Sequence, residues 1–311
     1  MKVRGFEEEV MLDLKRSWMF VPGHRQKMID KSLGLSVDAI MLDIEDGVAP
    51  AEKDTARQLI AESLDRVHKS QAISPSAGRR PLRYVRVNDV GHERMHADLK
   101  AVVRPGLEGL VLPKVDTPEQ VKTVDAILNR REPELGMKPG SVGLLVAIES
   151  PRGLINAPAI ASASPRVIGL IFGAEDFGKE LGLPTQREAE AKDMIYARSA
   201  MVMAAAAAHV QAVDGVWPDI KDPEGQKRFA LQARRLGFTG MSLIHPGQVD
   251  IINEIFSPTA AEVEYARQVV QAFEEAQARG DGSVALGGQL IDLPIVERAR
   301  RTLELAKTLG V

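Results

Sequence analysis

The sequence predicts an α/β fold, namely a (β/α)8 TIM barrel with a C-terminal helical extension and lid. Eight short apolar runs alternate along the chain with segments of helical pattern. Two of these runs, residues 141–150 and 166–176, are continuously apolar, as expected for parallel strands that helices cover on both faces. Residues 258–311 follow the eighth run and exceed the barrel. Eight such units favour a closed barrel over an open doubly wound sheet.

The elements are delimited by turn residues and by prolines. Pro22-Gly23 ends the first strand, while Pro50 and Pro118 each begin a helix, where the missing N–H is tolerated. The predicted strands are 16–21, 39–44, 82–87, 109–112, 141–150, 166–176, 211–216 and 240–244. The predicted helices are 25–33, 50–67, 93–103, 118–129, 152–162, 187–209, 222–236, 260–279 and 294–309.

The other segments complete the predicted organisation. We expect residues 1–15 to form a partly helical lead-in and residues 70–81, which are rich in Ser, Pro and Gly, to form a loop. The glycine-rich segment 280–292 is predicted to be a mobile loop between two helices, which is typical of a lid or a subunit-bridging arm. The predicted domains are a catalytic barrel, residues 1–257, and a helix–loop–helix lid extension, residues 258–311.

Composition restricts the classes of function. The net charge is −3 and no basic tract occurs, which argues against nucleic acid as a partner. The 311 residues include no cysteine, so disulfides, thiolate metal sites and cysteine nucleophiles are excluded. The N-terminal sequence lacks the apolar core of a signal peptide, and the aliphatic run at 201–210 is too short to span a bilayer. We therefore expect a cytoplasmic protein without a membrane partner.

Acidic side chains follow the two continuously apolar runs. Glu149 comes at the end of the first, and Glu175 and Asp176 at the end of the second. Because the carboxyl ends of parallel barrel strands share one rim, we expect these carboxylates to converge there. Carboxylates without cysteine or clustered histidine suit an oxygen-preferring divalent cation such as Mg²⁺. The alternative is that they are strand-end caps paired with arginines.

Further charged residues are predicted at the same rim. Arg86 offers a planar fork for a carboxylate, and the alternative is a salt bridge to a rim acid. Glu45 and Asp46 could bind the metal or orient water bound to it. We expect Lys114 to neutralise this acidic cluster, and His245 to have a structural hydrogen-bonding role.

Seven segments carry a resemblance to a known family. They are RSWMFVPGHR (16–25), DAIMLDIEDGVAPAEK (38–53), YVRVN (84–88), LVLPKV (110–115), AIESPRGL (147–154), FGAEDFGKELG (172–182) and SLIHPGQV (242–249). In this order they resemble the citrate lyase β-subunit-like family of the HpcH/HpaI aldolase superfamily, which includes malyl-CoA and citramalyl-CoA lyases. The resemblance covers nearly the whole chain.

The resemblance implies roles for individual residues. Glu149 and Asp176 would be the protein ligands of Mg²⁺, and Glu149 would also contact the substrate. Arg86 would be catalytic, holding the oxo-acid carboxylate and polarising the reacting oxygen. Asp292, in a lid from a neighbouring subunit, would be the catalytic acid/base, although GGQLID departs from the usual lid sequence. The positions that would contact coenzyme A are Phe20, Arg25 and Lys31.

The implied function is an Mg²⁺-dependent carbon–carbon lyase that cleaves or forms malyl-CoA or citramalyl-CoA, with acetyl-CoA and glyoxylate or pyruvate as the smaller partners. Backbone N–H groups near Pro22-Gly23 would help to stabilise the developing charge. A lid acting in trans requires at least a dimer, and the resemblance implies a homotrimer or homohexamer. The alternatives are a citrate lyase β subunit that acts on citryl bound to an acyl carrier protein, a malyl-CoA thioesterase, a CoA-free aldolase and a non-catalytic barrel.

Overall fold

Eight parallel strands close into a barrel in the computed structural model of the chain, which describes residues 15–73, 80–185 and 189–310. Each strand pairs in parallel with the next, and the eighth pairs with the first, with Trp18 opposite both Ala39 and Ser242. The strands are β1 (Ser17–Pro22), β2 (Ala39–Asp43), β3 (Leu82–Arg86), β4 (Gly109–Leu112), β5 (Gly143–Ile148), β6 (Val167–Phe172), β7 (Gln211–Asp214) and β8 (Gly240–Leu243). The predicted (β/α)8 barrel is confirmed.

Helices follow the strands along the chain. They are α1 (Gln26–Ser32), α2 (Lys53–Ile73), α3 (Arg94–Val102), α4 (Pro118–Glu134), α5 (Pro151–Ala161), α6 (Ala174–Leu181), α7 (Ile195–Ala207), α8 (Pro223–Leu236), α9 (Val249–Ile255), α10 (Ala260–Ala278) and α11 (Leu293–Leu309). Short 3₁₀ turns occupy Pro50–Glu52, Ala189–Met194 and Pro246–Gln248. Among the helices of the described residues, none combines the length and the hydropathy needed to cross a bilayer.

Side-chain caps fix the turns at which strands give way to helices. Ser150 Oγ accepts a hydrogen bond from the N–H of Gly153 at 2.8 Å, and Pro151 occupies the first helical position of α5. Such a cap satisfies an N–H that otherwise has no partner in the helix. Glu149, which lies between β5 and this cap, is thereby held at the rim of the barrel.

Several predicted boundaries were wrong. Helix α2 continues to Ile73, because no glycine or proline interrupts it, so residues 70–73 of the loop predicted at 70–81 are helical; residues 74–79 lie outside the described residues. The helix predicted at 187–209 begins as a 3₁₀ turn and becomes α-helical only at Ile195. Strand β6 ends at Phe172, so the run predicted to be a strand up to Asp176 ends in the first turn of α6. The lead-in predicted at 1–15 falls almost entirely outside the described residues.

The inside of the barrel is filled by side chains from alternate strand positions. Trp18 is fully buried, and its ring meets the edge of Tyr84 with the ring centroids 4.8 Å apart. Its indole N–H donates to the carbonyl oxygen of Lys15 at 3.0 Å, so burial of the ring leaves no polar atom unsatisfied. The layer contains Trp18, Ala39, Met41, Tyr84, Val111, Leu145, Ala147, Ile171 and Val213.

Buried arginines are paired with carboxylates at the amino ends of the strands. Arg16 contacts Asp38 at 2.8 Å before β1 and β2, and Arg166 contacts Glu132 at 2.7 Å before β6. Arg83 of β3 likewise pairs with Glu108. Conventional ion pairs therefore account for these acids at the end of the barrel opposite the predicted site.

The chain divides into two compact units, Met1–Asn253 and Glu254–Val311. In the second unit, helices α10 and α11 pack together around Val269, Phe273 and Val296. The segment 280–292, predicted to be a loop, forms an antiparallel hairpin of β9 (Val284–Leu286) and β10 (Gln289–Ile291). Its two turn residues, Gly287 and Gly288, have φ values of 57° and 81°, which a two-residue type I′ turn requires. The predicted domain division at residue 257 stays a prediction.

Candidate functional site

Charged side chains from four strand ends meet at one cavity. Asp43 ends β2, Arg86 ends β3, Glu149 follows β5 directly, and Asp176 lies in the first turn of α6 after β6. All four line a cavity of about 310 Å³ that lies above the barrel core. Its lining residues are Phe20, Val21, Pro22, Asp43, Gly47, Arg86, Val111, Ala147, Glu149, Ile171, Phe172, Gly173, Ala174, Glu175, Asp176, Gly215, Val216, Ser242 and Ile244.

Arg86 is held rigidly in this cavity. Its Nε and Nη2 donate to the two carboxylate oxygens of Asp43 at 2.7 and 2.8 Å, and its Nη1 lies 3.2 Å from Glu45 Oε2. The guanidinium also lies over the ring of Phe20, 4.9 Å from the centroid. Burial opposes the charge, but the bonds to Asp43 and the charge of Glu45 raise the pKa of Arg86. Arg86 is therefore a fixed positive charge, and the salt bridge considered as the alternative role for this residue is present.

Asp43 also lies at the end of the second predicted strand and so is expected at the rim, although the sequence analysis assigned it no role of its own. Besides binding Arg86, its oxygens accept the N–H groups of Glu45 and Gly47, each at 2.9 Å. A Cβ on Gly47 would lie 2.3 Å from Asp43 Oδ2, which explains the glycine in the DIEDG segment. Asp43 thus orients Arg86 and folds the loop after β2 at the same time.

Glu149 is buried, with 8% of its surface exposed. Its one hydrogen bond among the described residues comes from the backbone N–H of Lys114, 3.1 Å from Oε2. Burial raises its pKa to about 7; Arg86 opposes this shift, while the negative charges of Glu45 and Asp176 add to it. A cation beside Glu149 would remove the repulsion between these carboxylates.

Glycine at position 173 makes room for Glu149. A Cβ at this position would lie 2.3 Å from Cγ and 2.6 Å from Oε1 of Glu149. Gly173 has φ −98°, so it is the space beside Glu149 and not backbone strain that demands a glycine here. The sequence analysis missed Gly173, because no local pattern shows which side chain approaches a glycine.

The donor set fits a magnesium ion. Asp176 has no hydrogen bond or ion pair to any of the described residues, and it lies in the cavity wall together with Glu149. The alternative explanation was that these carboxylates are strand-end caps paired with arginines. Among the described residues, no arginine forms an ion pair with Glu149 or Asp176. No group of three His, Cys, Asp or Glu side chains in the described ranges surrounds a single point. A cation between Glu149 and Asp176 would thus take its other ligands from substrate or water oxygens, as Mg²⁺ commonly does.

Glu45 and Asp46 lie in the loop after β2 and are tied to Lys114. Lys114 Nζ lies 2.5 Å from Glu45 Oε1 and 2.8 Å from Asp46 Oδ2, so the expected neutralisation of these acids by lysine is observed. Burial raises the pKa of Glu45, against the influence of Arg86 and Lys114. Burial would raise the pKa of Asp46, but hydrogen bonding with Lys114 and with Glu45, together with the charge of Lys114, lowers it.

A buried lysine anchors the same loop from below. Lys53 Nζ donates to the carbonyl oxygens of Ile44 and Glu45 at 2.7 and 3.0 Å, and to Asn88 Oδ1 at 2.7 Å. All three of its donors are therefore used, and burial lowers its pKa. The sequence analysis missed Lys53, since its position at the start of α2 is typical of a solvent-exposed lysine.

A second cavity of about 300 Å³ adjoins the first and shares Glu149 and Asp176 in its lining. Unlike the first, it is lined only by polar and charged residues. Its lining residues are Lys114, Asp116, Glu149, Ser150, Asp176, Lys179 and Glu180. The two carboxylates thus line both a cavity of mixed apolar and charged residues and a cavity of polar and charged residues alone.

The three residues expected to contact coenzyme A lie on β1 and α1. Phe20 lines the main cavity and contacts Arg86. Arg25 caps the start of α1 and Lys31 lies in its last turn; both are exposed. Neither is among the described residues that line the cavity, and the assignment of these residues to coenzyme A stays a prediction.

Two other expectations concern loops at the rim. The N–H of Gly23 donates to the carbonyl oxygen of Asp43 at 2.9 Å, so this N–H is already used within the barrel. A Cβ on Gly23 would lie 2.4 Å from the same oxygen, which is why glycine is needed. The expected role of the other N–H groups near Pro22-Gly23 stays a prediction. His245 Nδ1 accepts the N–H of Gly247 at 3.1 Å, in agreement with the structural role expected for it.

Asp292 belongs to the C-terminal unit. It is the N-cap residue of α11, directly after the hairpin, and its side chain makes no capping hydrogen bond. Leu290 and Leu293 on either side are 64% and 49% exposed. Its side chain is thus not used to cap its own helix.

Comparison with known proteins agrees with this geometry. The family model for HpcH/HpaI aldolase/citrate lyase matches residues 16–246. Citrate lyase subunit beta of Escherichia coli (strain K12) is 40% identical over 297 residues, covering 96% of this chain and 95% of that protein. The (3S)-malyl-CoA thioesterase of Cereibacter sphaeroides (strain ATCC 17029 / ATH 2.4.9) is 35% identical over 296 residues, covering 95% of each chain.

A solved structure extends the similarity to the whole fold. The crystal structure of CitE from Mycobacterium tuberculosis, in complex with magnesium, acetoacetate and coenzyme A, has a TM-score of 0.75 and 27% sequence identity, covering 97% of this chain and 100% of that one. The resemblance inferred from the seven sequence segments is therefore confirmed, as is the relation to a family that includes lyases. The chain belongs to the HpcH/HpaI aldolase/citrate lyase family.

Proposed function

We propose that this protein is an Mg²⁺-dependent carbon–carbon lyase that acts on a β-hydroxyacyl-CoA. Malyl-CoA or citramalyl-CoA is cleaved to acetyl-CoA and glyoxylate or pyruvate, or formed from them. The observation that carries the proposal is that Glu149, Asp176 and Arg86 line one cavity. The magnesium and coenzyme A in the similar M. tuberculosis structure support the choice of cofactor and of substrate class.

In this proposal the charged residues at the rim have three separate roles. Glu149 and Asp176 would hold the cation, which would supply Lewis acidity for cleavage of the carbon–carbon bond. Arg86, fixed by Asp43, binds the carboxylate of the oxo acid and presents an unchanging positive charge. Glu45 and Asp46, held by Lys114, orient the groups around that cation.

Proton transfer is assigned to Asp292. In the cleavage direction its carboxylate takes the proton of the β-hydroxyl group while the bond between the α and β carbons breaks. The electron pair of that bond goes to the α carbon as a thioester enolate, which takes the proton back and becomes acetyl-CoA. In the synthetic direction Asp292 removes a proton from the acetyl methyl group.

The proposal includes an oligomer, a homotrimer or homohexamer, in which Asp292 of one copy serves the barrel of another. Asp292 suits this role because its side chain is not used as a helix cap. The flanking Leu290 and Leu293 expose apolar surface that could exclude water from the enolate. Phe20, Arg25 and Lys31 are proposed to contact the coenzyme A portion.

The charges in the cavity favour an oxo acid with one carboxylate. Arg86 is the one basic residue among the described residues that line it, beside four acids. Oxaloacetate would bring a second carboxylate that no basic residue in this lining meets; the lysines nearby, Lys114 and Lys179, line the adjoining cavity instead. Glyoxylate and pyruvate avoid that repulsion.

A second candidate function is that of a citrate lyase β subunit acting on citryl bound to an acyl carrier protein. The 40% identity to the E. coli citrate lyase subunit beta favours it. The 35% identity to a malyl-CoA thioesterase adds hydrolysis of the thioester as a neighbouring activity. A CoA-free aldolase and a non-catalytic barrel are less specific candidates, which neither of these two relatives favours.

One assay separates these functions. The purified chain is incubated alone with malyl-, citramalyl- and citryl-CoA, with Mg²⁺ and with a chelator, and oxo acid and free CoA are measured separately. We expect metal-dependent release of glyoxylate or pyruvate. Free CoA without oxo acid indicates the thioesterase, and cleavage only after addition of a citryl-loaded carrier protein indicates the β subunit. No turnover of any substrate contradicts all three.

A further inference from the structure

Lys114 has a backbone conformation that lysine rarely adopts. It lies two residues after the end of β4, with φ 52°. This left-handed region brings Cβ close to the backbone, so glycine or asparagine is more usual there. A lysine persists in such a conformation only when its surroundings hold it there.

Contacts at both ends of Lys114 provide that support. Its ammonium binds Glu45 and Asp46 in the loop after β2, at 2.5 and 2.8 Å. Its backbone N–H points the other way, to Glu149 Oε2 at the end of β5. One residue thus connects the ends of three strands.

The connection matters because Glu149 has little else to orient it. The Lys114 amide is the one hydrogen-bond donor to the Glu149 carboxylate among the described residues. Glu149 also lies close to Gly173, where a Cβ would come within 2.3 Å of its Cγ. Lys114 does not line the 310 Å³ cavity, but it lines the second cavity beside Glu149 and Asp176, so it can act on a cation there both through its charge and through its partners.

We propose that Lys114 is a positioning residue for the metal site. Its two ion pairs hold the left-handed turn, and the turn aims the amide that orients the Glu149 carboxylate toward the cation. This inference rests on the proposed function, in which Glu149 and Asp176 bind Mg²⁺.

The test compares Mn²⁺ binding, followed by electron paramagnetic resonance, in the full chain and in Lys114→Met. Loss of a group that orients a metal ligand lowers metal affinity by about 10- to 100-fold, and we expect a reduction of this size. Removal of a positive charge near carboxylates would by itself strengthen cation binding, so the direction of the change separates positioning from simple charge. Lys114→Arg, which can still bind both acids, is expected to retain the affinity.

Lys179→Met is the matched control, because Lys179 lines the second cavity near the same carboxylates, whereas no hydrogen bond or ion pair among the described residues joins it to Glu149. We expect it to bind Mn²⁺ at least as tightly as the parent. Circular dichroism reports whether each variant is folded. If Lys114→Met does not fold, Lys114→Gly removes the same ammonium with a residue that adopts a positive φ without strain. The turn is then no longer tied to Glu45 and Asp46 and becomes flexible, so a loss of affinity in the same direction is expected.

Unchanged or tighter Mn²⁺ binding in the folded Lys114 variant overturns the positioning role while leaving the proposed function intact. If the parent protein itself neither binds Mn²⁺ nor cleaves a CoA thioester, the proposed function and this inference are both overturned.

Discussion

Substitution of Gly173 by alanine should disable the site without unfolding the barrel. The added Cβ would lie 2.3 Å from Cγ of Glu149, whereas carbon atoms in contact are about 3.5 Å apart or more. Glu149 must therefore move by roughly 1 Å. Its buried side chain has the cavity beside it, so it can move without displacing the core. The backbone at residue 173, with φ −98°, accepts alanine without strain.

The size of the effect follows from that displacement. Misplacing a catalytic group by about 1 Å can lower the rate by about 100-fold, which corresponds to about 2.7 kcal/mol of transition-state stabilisation. We expect Gly173→Ala to reduce kcat/KM by this factor for the CoA thioester that the parent cleaves. Mg²⁺ affinity should fall as well, because a proposed ligand has moved.

The assay is steady-state cleavage together with Mg²⁺ binding by calorimetry, and a thermal melt checks the fold. Gly34→Ala is the matched control: it adds the same methyl group, but the nearest atom, the Lys31 carbonyl oxygen, is 3.7 Å away. If Gly173→Ala binds Mg²⁺ and turns over like the control, the argument that Gly173 positions Glu149 is refuted.

Three further predictions concern the two proposed catalytic carboxylates. Glu149→Gln should abolish both turnover and the rise in Tm that Mg²⁺ causes, and unchanged turnover rejects Glu149 as a metal ligand. Because burial raises the pKa of Glu149 to about 7, the metal-free parent should lose up to about 3 kcal/mol of stability relative to Glu149→Gln as the pH rises from about 4.5 through 7. Urea unfolding of both proteins, in the presence of chelator at pH 5 and at pH 8, measures this change in the free energy of unfolding. If the difference in unfolding free energy between the parent and Glu149→Gln is the same at both pH values, the prediction is contradicted. Asp292→Asn should keep its fold and its coenzyme A binding but react about two to four orders of magnitude more slowly, and a near-normal rate removes Asp292 from the mechanism.

Positions of the strands and of the candidate acids could be predicted because both depend on local pattern. A buried parallel strand needs a continuous apolar run, and the residue after such a run lies at the rim whatever its distant neighbours are. Glu149, Arg86 and Asp43 lie where this reasoning puts them. The boundary of β6 could not be found in this way, because Ala174, Glu175 and Asp176 suit a first helical turn as well as a strand end.

The partners of these residues could not be predicted. Asp43 and Glu45 are two residues apart in sequence, yet their partners differ. Asp43 accepts two hydrogen bonds from Arg86, whereas Glu45 also binds Lys114. Nothing local distinguishes Asp43 from its acidic neighbours. The hairpin at Gly287-Gly288, in contrast, had a readable signal: two glycines between short β-prone segments are typical of a type I′ turn.

Local sequence pattern thus determined the fold class, the order of the elements and the end of the barrel at which the acidic side chains lie. It could do so because the hydrophobic period and the position of a residue at a strand end depend only on neighbouring residues in the chain. Packing in three dimensions decided how those acids are used. Gly173 makes space for Glu149, Lys114 reaches from the end of β4 to the loop after β2, and Lys53 anchors that loop from below. These contacts join residues far apart in the chain, and their geometry exists only once the barrel has closed.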